Sequence, residues 1–324
     1  MHILKVTILL ISLMWRMPLY TQDEAVVLQY HTSISLKKDR LVEKEEILLQ
    51  INHPSADHFA EFQIEYESGD EMKIIDAQTV DASGERVRSL KKNDIITRSA
   101  FSDVSFYDEG MIEEFEMKWH TYPYQVILVY ERTRERFMTL VNWYPFYYLD
   151  VPVQSANLTL SLPKDLEIKQ NFDSAFVYVK KQLGDEIIQT WNMDNITVMK
   201  NQAMSPPIIE SVPSVQVVPL WFHFGIAGSH KSWESYGQWQ WNMNLGRDDL
   251  TLAEQRRIDQ LLSGVTDEEQ KVRLLYKYMQ QNTRYINISM DVGGLQPHLA
   301  SYVCENKYGD WPDLSKGIIH GRIG

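Results

Sequence analysis

Residues 284–315, RYINISMDVGGLQPHLASYVCENKYGDWPDLS, hold the most chemistry-like run of side chains in this sequence. The stretch has the build of a loop that sets a catalytic group at the start of a helix, and the reactive group should sit at Trp311. Indole has no accessible nucleophilic anion near neutral pH, so Trp311 cannot form the covalent intermediate that an activated Ser, Cys or Thr would form. The other candidates are weaker. Cys304 is the single cysteine and follows the apolar run Ala300–Val303. It reads as a small packing residue rather than a displaced nucleophile. His320 reads as a loop histidine. His53 and His58 make an H-x4-H pair with no further obvious ligand, whereas zinc sites normally take three or four protein ligands. Both read as surface or loop groups, and neither a metal nor a cofactor is expected.

Two helices must lead into that loop. Thr251 to Glu254 has the form of a capping box, and Ile258, Leu261, Leu262 and Val265 follow it as one apolar stripe. Thr266 to Glu269 is a second such box, with Val272, Leu275, Tyr276 and Met279 as the next stripe. Both helices read as scaffold with solvated polar faces. Further upstream, from Ala25 to about Lys200, the pattern has period two. Phe62, Ile64 and Tyr66 alternate with polar residues, as do Phe115, Met117 and Trp119, and Leu158, Leu160 and Leu162. Asp81 to Glu85 reads as a hairpin turn. About a dozen strand-like runs at sandwich spacing predict an antiparallel all-β domain.

Between these regions, Pro206, Pro207, Pro213 and Pro219 forbid a regular helix from Met204 to Val218 and suit an extended linker. Trp221, Phe222, Phe224, Trp233, Tyr236, Trp239 and Trp241 then crowd together. They read as packing at a domain junction, with a ligand-stacking face as the alternative. Trp143 to Tyr148 offers the same choice between core and sugar-stacking platform, and core is preferred. The predicted fold class is α+β: an antiparallel β-sandwich-like domain over 25–200, a Pro/Trp-rich junction over 201–246, and a helical part over 247–324.

The chain has 324 residues, 44% hydrophobic and 11% aromatic, enough for two sizeable cores. Its formal charge of −12 argues against nucleic acid, which needs a basic footprint. Residues 1–21 read as a secretory signal, with Lys5 before the apolar run from Val6 to Trp15. That run is too short for a membrane span, and cleavage is expected near Thr21–Gln22. No second long apolar segment follows. The expected address is therefore periplasmic or extracellular, with no membrane span after signal cleavage. A lone cysteine permits no internal disulfide.

KYMQQNTRYINI, then GGLQP, then NKYGDWPDLS together resemble the start of a transglutaminase-like domain of the papain-like thiol superfamily. The β-rich region, with LDVPVQSANLTLSLP, resembles the domain of unknown function that commonly precedes such modules in exported bacterial proteins. The resemblance covers about residues 25–315. It implies a cysteine thiolate at a helix start, a histidine base from a later strand, and an Asp or Asn orienting that histidine. Tyr308, Gly309, Asp310, Asp313, Leu314 and Ser315 match the family pattern. The nucleophile maps to Trp311, and the following Lys to Pro312, which the first position of a helix tolerates. Asp310 and Asp313 read as loop and first-turn capping groups. From Lys316 to Gly324, Gly317, Gly321 and Gly324 disfavour helix by about 1 kcal/mol each, and no later strand supplies the histidine. A degenerate site in a truncated domain is the expectation. The function implied is binding or scaffolding at the cell envelope, with a protein, a peptide or an envelope glycan as partner. Two alternatives stand beside it: cysteine-dependent acyl transfer or hydrolysis of peptide amides, if the intact domain carries Cys at position 311, and a carbohydrate-binding module using Trp221 to Trp241.

Overall fold

A computed structural model describes residues 23–100, 107–108, 110–198, 204, 206–207, 210–286, 288–289 and 291–310. The segment 1–21 expected as a signal lies outside the described residues. In chain order the first strands are β1 (Ala25–Lys37), β2 (Arg40–Ile51), β3 (Glu61–Glu67), β4 (Glu71–Val80), β5 (Arg86–Ser89), β6 (Ile96–Ser99), β7 (Tyr107–Asp108) and β8 (Gly110–Glu116). After these come β9 (Tyr124–Arg134), β10 (Val141–Trp143), β11 (Val153–Pro163), β12 (Ile168–Phe172), β13 (Val177–Leu183), β14 (Glu186–Ile196) and β15 (Val215–Pro219).

Eight of these strands make one long sheet in the order β13-β14-β11-β1-β2-β9-β4-β5. Two three-stranded sheets, β10-β15-β12 and β3-β8-β6, form a second layer. Period-two alternation explains the arrangement. Tyr30, Thr32 and Ile34 on β1, Ile47, Leu49 and Ile51 on β2, and Leu158, Leu160 and Leu162 on β11 are buried. Their neighbours His31, Ser33, Asn157 and Thr159 take the opposite, wetter face. Across the layers, Trp143 stacks on Tyr30 at 5.9 Å between ring centroids, and its Nε1 donates to Thr32 Oγ1 at 2.9 Å. Thr79 Oγ1 donates to the Met117 carbonyl at 2.6 Å. Each buried polar group named here thus has its partner. Neighbouring strands of the long sheet run antiparallel except β1 and β11, which are parallel, with Val27 beside Val153. A parallel pair needs a long crossover, and the second-layer strands between β1 and β11 provide it.

Of the Pro-rich stretch expected as an extended linker, the part from Val215 onward is a core strand rather than a connector, and residues 201–203, 205 and 208–209 lie outside the described residues. β15 pairs with both β10 and β12, and Val215 and Val217 are fully buried. The alternation there outweighs the prolines, since Pro213 precedes the ladder and Pro219 ends it.

Beyond β15 lie a hairpin of β16 (Trp221–Phe224) and β17 (Ile226–Ser229), then α1 (Trp233–Asn244), α2 (Leu252–Leu262) and α3 (Glu268–Asn282). Short strands β18 (Arg284–Tyr285) and β19 (Ile288–Ser289), helix α4 (Ala300–Asn306) and β20 (Tyr308–Gly309) complete the described chain. Helix α1 was not anticipated, because its aromatic crowding hides a narrow stripe of Trp239 and Met243. Ser232 caps it, accepting from Ser235 N at 3.1 Å. Thr251 caps α2 as expected, at 3.2 Å from Glu254 N. The Glu254 side chain does not close a box. It turns inward, accepts from the Tyr278 hydroxyl at 2.6 Å and ties α2 to α3. The cap of α3 is Asp267 rather than Thr266, with Gln270 N donating at 3.0 Å; a carboxylate suits the positive helix end better than a hydroxyl. Ile258 and Leu275 anchor the two stripes, while Tyr276 is exposed. Among the described residues no helix is long and apolar enough to cross a membrane.

Candidate functional site

The Gly-Gly-Leu-Gln-Pro loop is held against α1 by polar straps to backbone. Gln240 Nε2 donates to the Leu295 carbonyl at 2.7 Å, and Gln296 Nε2 donates to the Met243 carbonyl at 2.9 Å. Arg247 Nη1 donates to the Pro297 carbonyl at 2.9 Å. Gln296, to which sequence alone gave no role, is therefore a strap at the end of α1. Val292 and Leu295 pack onto Phe222, Trp239 and Met243 beneath it. The approach is tight: a Cβ on Gly225, which lies at φ +70°, would fall 3.0 Å from a Val292 methyl.

Two sequence motifs far apart in the chain meet at the approach to residue 311. β18 pairs in parallel with β20, setting Arg284 beside Tyr308 and Tyr285 beside Gly309. Lys307, in the left-handed region at φ 62°, ends α4 and turns the chain into β20. The Arg-Tyr and Tyr-Gly-Asp motifs are thus one unit, with Gly309 buried between them. Asp310 lies by Tyr285, whose phenol is raised by partial desolvation and by that carboxylate. The Tyr302 and Tyr308 hydroxyls meet at 3.1 Å, and the His298 ring stacks on Tyr302 at 4.9 Å. Trp311, Pro312, Asp313, Leu314, Ser315 and His320 lie outside the described residues.

Cys304 is half-buried on α4. Burial pushes its thiol up, and Glu254 and Asp249 push it further against the opposing pull of Lys307. A reactive thiol needs the reverse environment. His53 accepts from Ser55 N at 3.3 Å at the head of a short 3-10 turn, and His58 Nδ1 lies 3.0 Å from the Ser55 carbonyl. Both have local roles. Among the described residues no three His, Cys, Asp or Glu side chains gather as a metal site. Trp143 and Phe146 are buried, and Tyr148 donates to the Phe59 carbonyl at 2.9 Å, so that aromatic run is core. The second run divides. Phe222 and Trp239 are buried, edge to face at 5.1 Å, whereas Trp221, Trp233 and Trp241 are 61%, 90% and 64% exposed.

A further cluster, inside the sandwich, escaped the sequence reading. On β2 the inward positions run Leu41, Glu43, Glu45, Ile47 and Leu49, and on β9 they run Val126, Leu128, Tyr130, Arg132 and Arg134. The register sets Glu43 opposite Arg132 and Glu45 opposite Tyr130. Arg132 and Arg134 both donate to Glu43 Oε2, at 2.9 and 3.2 Å. Glu45 accepts from Tyr30 at 3.2 Å and from Tyr130. Burial first, and then the Glu43 charge, push the Glu45 carboxyl up to about 7. The signal was present in the sequence: charged residues fall in phase with the apolar face of two strands. A cavity of about 570 Å³ opens beside this cluster, between Arg132, Arg134 and the strand β10.

Residues 37–200 match the family model described as a domain of unknown function with a solved structure, DUF3857. Among solved structures, a Parabacteroides distasonis protein provisionally described as a protease superposes with a TM-score of 0.70 at 15% identity. That match covers 92% of this chain and 58% of the other, so this chain spans little more than half of that protein's length. At such identity the likeness is one of fold. Aminopeptidase A of Legionella pneumophila (TM-score 0.29, 12% identity, 61% of this chain and 22% of that one) carries no argument. Nor does leukotriene A4 hydrolase of Saccharomyces cerevisiae (TM-score 0.33, 8% identity, 61% and 29%). No curated protein matches the sequence.

Proposed function

The chain belongs to the DUF3857 family of domains of unknown function, and we propose that it is a binding or scaffolding protein of the cell envelope, akin to transglutaminase-like thiol enzymes but without their nucleophile. One observation carries the reading. The pairing of Arg284–Tyr285 with Tyr308–Gly309 joins the two motifs that precede position 311 in the sequence, and the sequence has Trp at that position. Thiol chemistry on an amide needs a thiolate held ready beside a base. Trp311 cannot supply one, and Cys304 sits in surroundings that keep its proton on. The basic start at Lys5 and the apolar run after it support export to the periplasm or the outside. Amide hydrolysis or acyl transfer would belong to this architecture where cysteine stands at position 311.

Turnover assays on the full chain test the proposal. Glutaminyl peptides and simple peptide amides should give no product, with or without Cys304→Ser. Product that survives Cys304→Ser would reveal another nucleophile, and product lost with it would promote Cys304; either result contradicts the reading. The exposure of Trp221, Trp233 and Trp241 favours a second reading, stacking of envelope glycans. Titration with glycan fragments should then quench tryptophan fluorescence in the wild type and not in the Trp221→Ala, Trp233→Ala, Trp241→Ala triple variant.

A further inference from the structure

We propose that the cavity between the arginine-bearing end of the long sheet and strand β10 binds the free C-terminal carboxylate of a short peptide. Its floor is overprovided with cationic donors. A guanidinium carries five N–H groups, yet the contacts of both Arg132 and Arg134 converge on a single oxygen of Glu43. Arg134 Nε is buried and meets no partner among the described residues. Burying such a group without an acceptor is costly, and the residue that carries it lines the cavity together with Arg132.

The local charge is inverted relative to the whole chain, whose formal charge is −12. Two guanidiniums face one carboxylate at Glu43. The acids beside these arginines, Glu45 and Asp70, are not part of the cavity lining, in which Glu43 is the one carboxylate. A planar carboxylate fits a guanidinium fork, because two parallel N–H groups can serve its two oxygens.

The walls argue for a peptide as the bearer of that carboxylate. Residues 139–143 line the cavity in an unbroken run. In a strand, alternate side chains point to opposite faces, so a continuous lining means that the backbone edge is presented too. β10 is the outermost strand of β10-β15-β12, and an edge of this kind accepts an extended peptide as an added strand. Asn142 and Gln216 lie opposite one another in register and line the same space, supplying amide groups for a peptide unit. Ile34, Val218 and Trp143 add apolar wall. The volume, about 570 Å³, suits a ligand of two or three residues. A bare oxyanion such as phosphate would use the floor and leave the walls idle. The site lies in the sandwich and does not depend on the reading of residue 311.

Calorimetric titration of the full chain tests this, using a pool of acetylated tripeptides with free C-termini and the same pool as C-terminal amides. The acids should bind at least tenfold more tightly than the amides. Arg134→Gln should lower acid affinity to the level of the amides. Asn142→Trp, at an exposed position of the lining, should block binding of the acids while leaving the Arg–Glu cluster intact, which covers the case in which Arg134→Gln does not fold. The proposal is overturned if acids and amides bind alike, if neither binds, or if folded Asn142→Trp retains wild-type affinity. Inorganic phosphate displacing the peptide acids at equal concentration would also overturn it, since the site would then be a general oxyanion site.

Discussion

The sandwich and the helical region hold themselves together in different ways. In the sandwich, side chains of alternating strands meet across two layers, and Trp191, Tyr124, Leu128 and Leu158 are completely buried. In the helical region the buried cluster is small among the described residues: Phe222, Trp239 and Met243, with Ile258 and Leu275 anchoring α2 and α3. Its loop is positioned by Gln240, Gln296 and Arg247 reaching backbone carbonyls. Apolar burial contributes roughly 25 cal/mol per Å², whereas an intramolecular hydrogen bond nets about 1 kcal/mol. The sandwich should therefore be the stable body and the helical region a looser platform resting on it, in touch through β7 and β19.

The largest effect expected is on the sandwich. Trp191→Ala removes a fully buried ring packed on Phe172 and Tyr178, and should cost about 3–5 kcal/mol in denaturant unfolding. Equal losses from Trp191→Ala and Trp239→Ala within one transition would erase the contrast between the regions.

Next comes a pH effect seated in the same layer. Glu45, raised to about 7 and surrounded by Glu43, Arg132, Tyr30, Tyr130 and Tyr147, holds its proton more tightly folded than unfolded. Its contribution to stability is complete below pH of about 4.5 and is lost as pH rises through about 7, a swing of roughly 3 kcal/mol. Glu45→Gln should flatten the stability profile over that window and leave the protein more stable than wild type at pH 8. An unchanged slope would place the titration elsewhere.

Smaller effects belong to the platform. Gln296→Leu removes the strap to Met243 and leaves a carbonyl unpaired, at a cost of about 1–2 kcal/mol. It should speed hydrogen exchange at the end of α1 without altering the sandwich. Thr251→Ala deletes the α2 cap and should cost about 1 kcal/mol, visible as faster exchange in the first turn of α2 alone.

Much of this was legible in the sequence. Phe62, Ile64, Leu158, Leu160 and Leu162 announce strands because a half-buried strand imposes period two on its composition. The hairpin at Asp81 was equally plain, and Asp81 Oδ1 accepts from Ser83 N and Glu85 N there. The register was not legible, nor was the parallel pairing of β1 with β11, because strand order depends on contacts far apart in the chain. α1 was missed since an aromatic-rich helix burying two residues has almost no periodic signal. At the candidate site, Tyr308, Gly309 and Asp310 were visible as a motif. Their partner strand at Arg284 and the strap at Gln296 became clear only from backbone hydrogen bonds. Glu43, Glu45, Arg132 and Arg134 were not legible as a cluster, because charge in a strand ordinarily marks its wet face.

Limited proteolysis of the full chain, followed by mass spectrometry, tests the contrast between the two regions most directly. Early cuts are expected after about Gly246, in α2, α3 and the connections between them, while a fragment ending beyond β15 persists. Equal resistance of both regions, in a monomer at low concentration, would contradict it.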